Sequence, residues 1–296
     1  MIRTEITNIG DPFILLHEDK YYMYATSAPD GFKVFTSLDL INWEEAGYCY
    51  KDSTWAINCF WAPEVYYYNN KFYMLYTGRW KKNESLRTAL AVSDSPLGPF
   101  KDINDGPLFD LGFATIDATL FFDDDGKIYL YFVRDCSEYI VGGVHTSAIY
   151  AVEIDKELKH FIGKPVLISI PDCEWETSLD KEWCWNEGPA VLKKNGTYYL
   201  NYSVNCFNNL NYCIACSESK NPLGPYKKYD NNPILKYREN DFSGPGHNNF
   251  FTTKEGVLMT SFHIHTYYDK PSGNRRACIG LVEFDNTDKM VIKVDF

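Results

Sequence analysis

The sequence predicts an all-β chain: a five-bladed β-propeller with four antiparallel strands per blade, built as a single domain over residues 1–296. Three observations carry that expectation. Short runs rich in Tyr, Phe, Val and Ile are cut by Gly, Pro, Asn and Asp, the pattern of strands and turns. No window of a dozen residues holds a clean helical stripe. One unit of about four such strands recurs five times in 296 residues, about 59 each, and radial repetition suits that count.

The first unit opens at Asp11 with strands over residues 12–17, 21–26 and 31–37 and a fourth after Asn42-Trp43-Glu44. The second opens at Trp61-Ala62-Pro63-Glu64, turns at Asn69-Asn70 and closes in Ser95-Pro96-Leu97-Gly98-Pro99-Phe100. The third opens at Ile116-Asp117-Ala118 and turns at Asp123-Asp124-Asp125-Gly126. The fourth opens at Asn186-Glu187-Gly188-Pro189, turns at Asn195-Gly196 and closes in Asn221-Pro222-Leu223-Gly224-Pro225-Tyr226, nearly repeating the second. The fifth opens at Gly246-His247-Asn248 and runs to about Phe284. Blades have neighbours on both faces, so their strands should be apolar on both sides, as Phe13-Ile14-Leu15-Leu16 is. A sandwich is the rival, but it leaves the two matching closers unexplained. Residues 2–6 and 290–294 are expected to close the ring within one blade.

Spacing marks one insertion. From Asp11 to Glu64 and from Glu64 to Asp117 is 53 residues each (64 − 11; 117 − 64), but from Asp117 to Glu187 is 70 (187 − 117). The extra length falls at about residues 172–186, which hold Trp175, Trp183 and Trp185. Long loops on a rigid scaffold often carry function.

Composition narrows the partners. A net charge of −11 argues against nucleic acid, which needs a basic surface. No run approaches the roughly 18 apolar residues of a membrane span, and the N-terminal residues lack a signal-peptide layout. Nine scattered cysteines show no framework spacing and read as reduced thiols. A cytoplasmic protein is expected; the oligomeric state is left open.

In a propeller the first strand of each blade lines the central channel. Asp11, Trp61, Asp117, Glu187 and His247 should therefore converge near one axis. Like charges held close raise one another's pKa and cost stability, so a site that keeps them usually uses them. Separated carboxylates suit glycoside hydrolysis: one protonated to supply the leaving oxygen, one ionised to activate water.

Taken in order, Gly10-Asp11-Pro12, Trp61-Ala62-Pro63-Glu64, Ile116-Asp117-Ala118, Glu187-Gly188-Pro189, Gly246-His247-Asn248 and Phe262-His263-Ile264-His265 with Arg275-Arg276 resemble glycoside hydrolase family 43. That family comprises arabinofuranosidases, β-xylosidases and arabinanases on five-bladed propellers. The resemblance spans nearly the whole chain. It implies an inverting, exo-acting hydrolase that releases terminal α-L-arabinofuranose or β-D-xylose from short plant-cell-wall oligosaccharides. Asp11 would be the general base, Glu187 the general acid, and Asp117 the residue that orients the acid and keeps its pKa high. Phe32, Trp61, His247 and Arg275 would contact the sugar, with Arg276 as a neighbour that could replace Arg275. No cofactor is required; His247 would sit beside an ordered water or a structural calcium in the channel. Two other readings stand beside this one: a glycoside phosphorylase, which needs a basic cluster for phosphate, and a sugar-binding propeller without catalysis.

Other motifs read as structural. Cys213 and Cys216, three apart on a strand, should face opposite ways and cannot make a metal site alone. Asp123 to Gly126 reads as a hairpin turn, since it lacks the spaced ligands of a calcium loop. His263 and His265 share a strand face and are assigned to structure or to the substrate rim.

Overall fold

The computed structural model describes residues 1–177 and 179–296; Ser178, inside the expected insertion, lies outside the described residues. The described residues form twenty-one strands and one four-residue helix. Among the described residues no helix is long and apolar enough to cross a membrane.

The strands fall into five antiparallel groups. The first holds β1 (Ile2–His17), β2 (Lys20–Thr26), β3 (Gly31–Ser37) and β4 (Glu44–Lys51). The second holds β5 (Trp61–Tyr68), β6 (Lys71–Arg79), β7 (Leu86–Ser93) and β8 (Lys101–Asp102). In the third, β9 (Thr115–Phe122), β10 (Ile128–Arg134), β12 (Val144–Ile154) and β13 (Phe161–Ser169) pair in that order, and the short β11 (Ile140–Val141) extends β12. Helix α1 (Glu174–Thr177) precedes the fourth group: β14 (Trp183–Lys194), β15 (Thr197–Val204), β16 (Cys213–Ser219) and β17 (Lys227–Lys228). The fifth holds β18 (Gly246–Thr252), β19 (Leu258–His265), β20 (Arg275–Phe284) and β21 (Met290–Lys293).

Two extra pairings fuse groups. The first half of β1 pairs with β20, placing Ile9 opposite Arg275, while β21 pairs with the other end of the same strand. Both chain ends thus complete the fifth group. The third and fourth groups are joined by a parallel stretch, His145–Ser147 of β12 against Trp183–Trp185 of β14.

Side-chain alternation explains how the groups associate. Met23 and Tyr24, adjacent on β2, are both fully buried but enter different cores. Tyr24 packs with Met74 and Tyr76 of the second group; Met23 packs with Met259 and Ile279 of the fifth. On β6, Met74 faces the first group and Leu75 the third. Leu130 and Tyr131 of β10 divide likewise between the second and fourth groups, and Leu200 and Tyr199 of β15 between the third and fifth. Each such side chain contributes roughly 1.5–3 kcal/mol on burial. Every group is therefore apolar on both faces. The first strands also touch in a cycle: β1 meets β5, β5 meets β9, β9 meets β14, β14 meets β18, and β18 meets β1.

The matching closers have a matching use. The Tyr24 hydroxyl donates to the Pro96 carbonyl at 2.6 Å, and the Tyr131 hydroxyl donates to the Pro222 carbonyl. Each closer thus docks on the second strand of the group before it. Cys213 and Cys216 enter separate cores, and all nine cysteines are unpaired. Residues 123–126 form the expected turn, with the Gly126 amide donating to the Asp123 carbonyl.

Candidate active site

The first strands share a local distortion. Asp11, Ala62, Asp117, Gly188 and His247 all have φ between 47° and 54°, and the ladder beside each slips in register. An extra residue in one strand bends it and re-aims side chains. Left-handed backbone at a non-glycine residue costs about 1–3 kcal/mol and clusters at functional sites. Asp11, Asp117 and His247 occupy this bulge position. Trp61 and Glu187 stand one residue before it, so the five residues expected to be equivalent form two sets with different aim.

These residues surround a cavity of about 340 Å³ whose wall includes Asp11, Trp61, Asp117, Glu187, His247 and Arg275. Six of the seven predicted site residues thus meet in one place. The seventh, Phe32, does not. Its ring is fully buried and packs on Tyr50, Phe60 and Tyr76. It belongs to the core between the first two groups, with Met74 and Tyr76 of β6. The expectation of a sugar contact at Phe32 is corrected to a packing role beneath the wall. Arg276 points away and donates to the Thr4 carbonyl.

Asp11 is held by several donors. The Thr26 hydroxyl donates to Oδ2 at 2.6 Å, and Arg275 Nη1 donates to Oδ1 at 3.1 Å. His247 Nδ1 lies 3.4 Å from the same oxygen. The Asp11 amide donates to His263 Nδ1 at 3.2 Å. Burial pushes this carboxyl up, but Arg275, His247, His263 and Thr26 together outweigh it and hold Asp11 well below the usual carboxylate range.

Glu187 behaves oppositely. Burial, then the neighbouring Asp117 charge, push its carboxyl well above the ordinary value, with Asp135 and Asp11 adding to the rise. The Tyr212 hydroxyl donates to its Oε1 at 3.0 Å. Asp117 sits between these extremes, raised to about 6 by burial against the opposing pull of His247. Its Oδ2 accepts from the Gly188 amide at 3.1 Å.

Three glycines make this packing feasible. A Cβ on Gly10 would lie 1.9 Å from Arg275 Nη2, one on Gly246 would lie 1.9 Å from the Tyr212 ring, and one on Gly244 would lie 2.2 Å from the His265 ring. His265 in turn bonds Ser243 and the Phe207 carbonyl, each at 2.8 Å. His263 lies parallel to the Tyr212 ring, centroids 5.6 Å apart. The histidine pair is therefore a buttress for Asp11, Tyr212 and Phe207.

Sequence reasoning missed several wall residues. Arg79, Asp135, Cys206, Phe207 and Tyr212 all line the cavity, as does Trp185 of the insertion that the spacing marked. Arg79 is braced by Asn58 Oδ1 at 3.1 Å and the Glu84 carbonyl at 2.7 Å. Phe207 lies under the Arg275 guanidinium, 4.9 Å from ring centre to Cζ. Trp185 alone had a signal, since it stands two residues before Glu187 on a strand and shares its face.

His247 stands among buried carboxyls. Glu64, the nearby buried carboxyl, is pushed up to about 7, mainly by burial. Asn249 donates to one of its oxygens at 2.9 Å and Tyr66 to the other. With Asp11 Oδ1 at 3.4 Å and Asp117 Oδ2 at 4.0 Å from His247 Nδ1, a calcium ion beside His247 would draw most of its six to eight oxygens from water. Among the described residues the one grouping of ligand-type atoms is Asp172, Cys173 and Glu176, and Lys228 fills it, 2.7 Å from Asp172 and 2.6 Å from Glu176.

The model for glycosyl hydrolases family 43 matches residues 6–290. The chain belongs to that family. Among solved structures it resembles a thermostable family-43 glycoside hydrolase at 44% identity, covering 100% of this chain and 96% of the other, with a TM-score of 0.95. The Beta-D-galactofuranosidase xynD of Aspergillus niger is 25% identical over 95% of this chain and 81% of its own. The Xylan 1,3-beta-xylosidase of a Vibrio species is 29% identical over 89% of this chain and 49% of its own. The family 43 chain thus spans most of one curated relative and about half of the other.

Proposed function

We propose that the protein is an inverting, exo-acting glycoside hydrolase that releases terminal α-L-arabinofuranose or β-D-xylose from short oligosaccharides. The observation that carries this reading is the split between two acids on one cavity: Asp11 held ionised, Glu187 held protonated. Carboxyls whose surroundings push their pKa values apart are suited to base and acid roles. In this reading Asp11 takes a proton from water as the water oxygen bonds to the anomeric carbon. The bond to the leaving oxygen breaks, and Glu187 gives that oxygen its proton. Asp117 keeps Glu187 high and anchors the turn behind it through the Gly188 amide. Arg275 fixes Asp11, and Trp61 and Phe207 offer apolar surface to the sugar.

The names of the relatives, one a furanosidase and one a xylosidase, support a substrate near this class. The five groups, each apolar on both faces, support the five-bladed propeller as the frame. No metal is assigned a step.

The test is hydrolysis of nitrophenyl α-L-arabinofuranoside and nitrophenyl β-D-xyloside, with and without chelator, with the product anomer read by proton NMR. Release of one of the two sugars with inverted configuration, indifferent to chelator, is the expected result. Retention of configuration would overturn the mechanism. A rate that depends on phosphate would favour the phosphorylase reading, and binding without release a sugar-binding protein.

A further inference from the structure

Residues Trp183 to Glu187 alternate strictly along β14. Trp183, Trp185 and Glu187 are partly exposed, while Cys184 and Asn186 are buried. The inward pair is anchored: Cys184 contacts Thr146 at 3.4 Å, and Asn186 bonds Ser169 at 2.7 Å. The outward three therefore form one row on one face, with Glu187 at the inner end. Trp185 lines the cavity beside it, and Trp183 stands one step farther out.

The two indole rings are nearly parallel, 16° apart with centroids 6.4 Å apart. Trp183 is itself held by His145, whose ring stacks on it at 3.9 Å and 9°. His145 Nδ1 is bonded to the Cys136 carbonyl at 2.8 Å, so the support is fixed. The parallel pairing of β12 with β14 sets His145 directly beside Trp183. An outward tryptophan with a braced ring offers rigid, flat, apolar area at low entropic cost.

Resting on the hydrolase reading above, we infer that Trp185 and Trp183 form an aromatic track for the leaving-group side of the substrate, Trp185 under the first sugar unit and Trp183 under the second. The side follows from chemistry. Glu187 delivers its proton to the leaving oxygen, so whatever extends outward from Glu187 meets the part that departs. The substrate class is thereby narrowed to linear oligosaccharides with at least two units beyond the scissile bond.

The experiment compares W183A with the parent on nitrophenyl pentoside and on the matching disaccharide, trisaccharide and tetrasaccharide, from the xylo- or arabino-series that the parent cleaves. The ratio of kcat/KM for trisaccharide to that for nitrophenyl pentoside should fall about three- to tenfold, the range of an aromatic stacking contact. The disaccharide ratio should hardly move, and W183F should restore the trisaccharide ratio. Titration of the D11N variant with tetrasaccharide, read by fluorescence, should weaken to the same extent when W183A is added, and it needs no turnover. Equal losses on all substrates, or an unchanged ratio, would overturn the track. A parent that cleaves neither pentoside would instead count against the hydrolase reading, while the titration still decides the track.

Discussion

Arg275 and Asp11 come from opposite ends of the chain, 264 residues apart, yet Nη1 lies 3.1 Å from Oδ1. The pairing of β1 with β20 brings them together, Ile9 facing Arg275 across the ladder. The strand pairing that joins the two ends of the chain therefore also sets the proposed base beside its guanidinium partner. R275M should leave Asp11 buried with fewer positive neighbours, so its pKa should rise. The acid limb of the kcat/KM profile should then move to higher pH. Activity at the optimum should fall on the order of ten- to hundredfold, the scale of a lost charge-assisted hydrogen bond. An unmoved acid limb would contradict this role.

Glu187→Ala separates acid catalysis from the rest. Loss should be on the order of 10²–10⁴-fold on natural glycosides. It should be much smaller on aryl glycosides, whose leaving groups need no proton. Equal losses on both would remove Glu187 from the acid role. Asp11→Asn should abolish turnover of both substrate types, which steady-state rates would show directly.

Asp117 controls where the basic limb falls. Its negative charge stands second only to burial in raising Glu187. Asp117 is itself raised to about 6, mainly by burial. Asp117→Asn should lower the Glu187 pKa and shift the basic limb to lower pH. A shift upward, or none, would show that the two carboxyls are not coupled.

Gly10→Ala tests the close approach over Asp11. The new Cβ would overlap Arg275 Nη2 at 1.9 Å, and the guanidinium must move. A displacement of about 1 Å can cost on the order of 10²-fold in rate. The variant should fold, lose activity to that extent, and show the same raised acid limb as R275M. A normal pH profile would exclude the shared cause.

Tyr24→Phe probes the frame instead of the site. It removes a 2.6 Å bond to the Pro96 carbonyl at a fully buried position. Stability to urea should fall by about 1–3 kcal/mol, with kcat/KM nearly unchanged. A large activity loss would mean that the interface between the first two groups transmits strain to the cavity.

Much was legible in the sequence because it is local. The strand runs, the Asn69-Asn70 and Asn195-Gly196 turns, the five-fold recurrence and the matching closers follow from hydrophobic pattern and turn chemistry. Asp11, Asp117 and Glu187 were legible because each stands at the mouth of a repeated strand. Tertiary structure alone decided the rest. The bulge that places Asp11, Asp117 and His247 in left-handed backbone, but Glu187 one residue earlier, depends on ladder register between strands. Phe32 was misplaced because one face of β3 looks like another until the second group packs on it. Phe207, Tyr212 and Arg79 reach the cavity from loops and strand ends whose paths no periodicity encodes. The protonation split between Asp11 and Glu187 has the same origin: identical chemistry in the chain diverges only when folding gives one carboxyl a guanidinium and the other a second carboxylate.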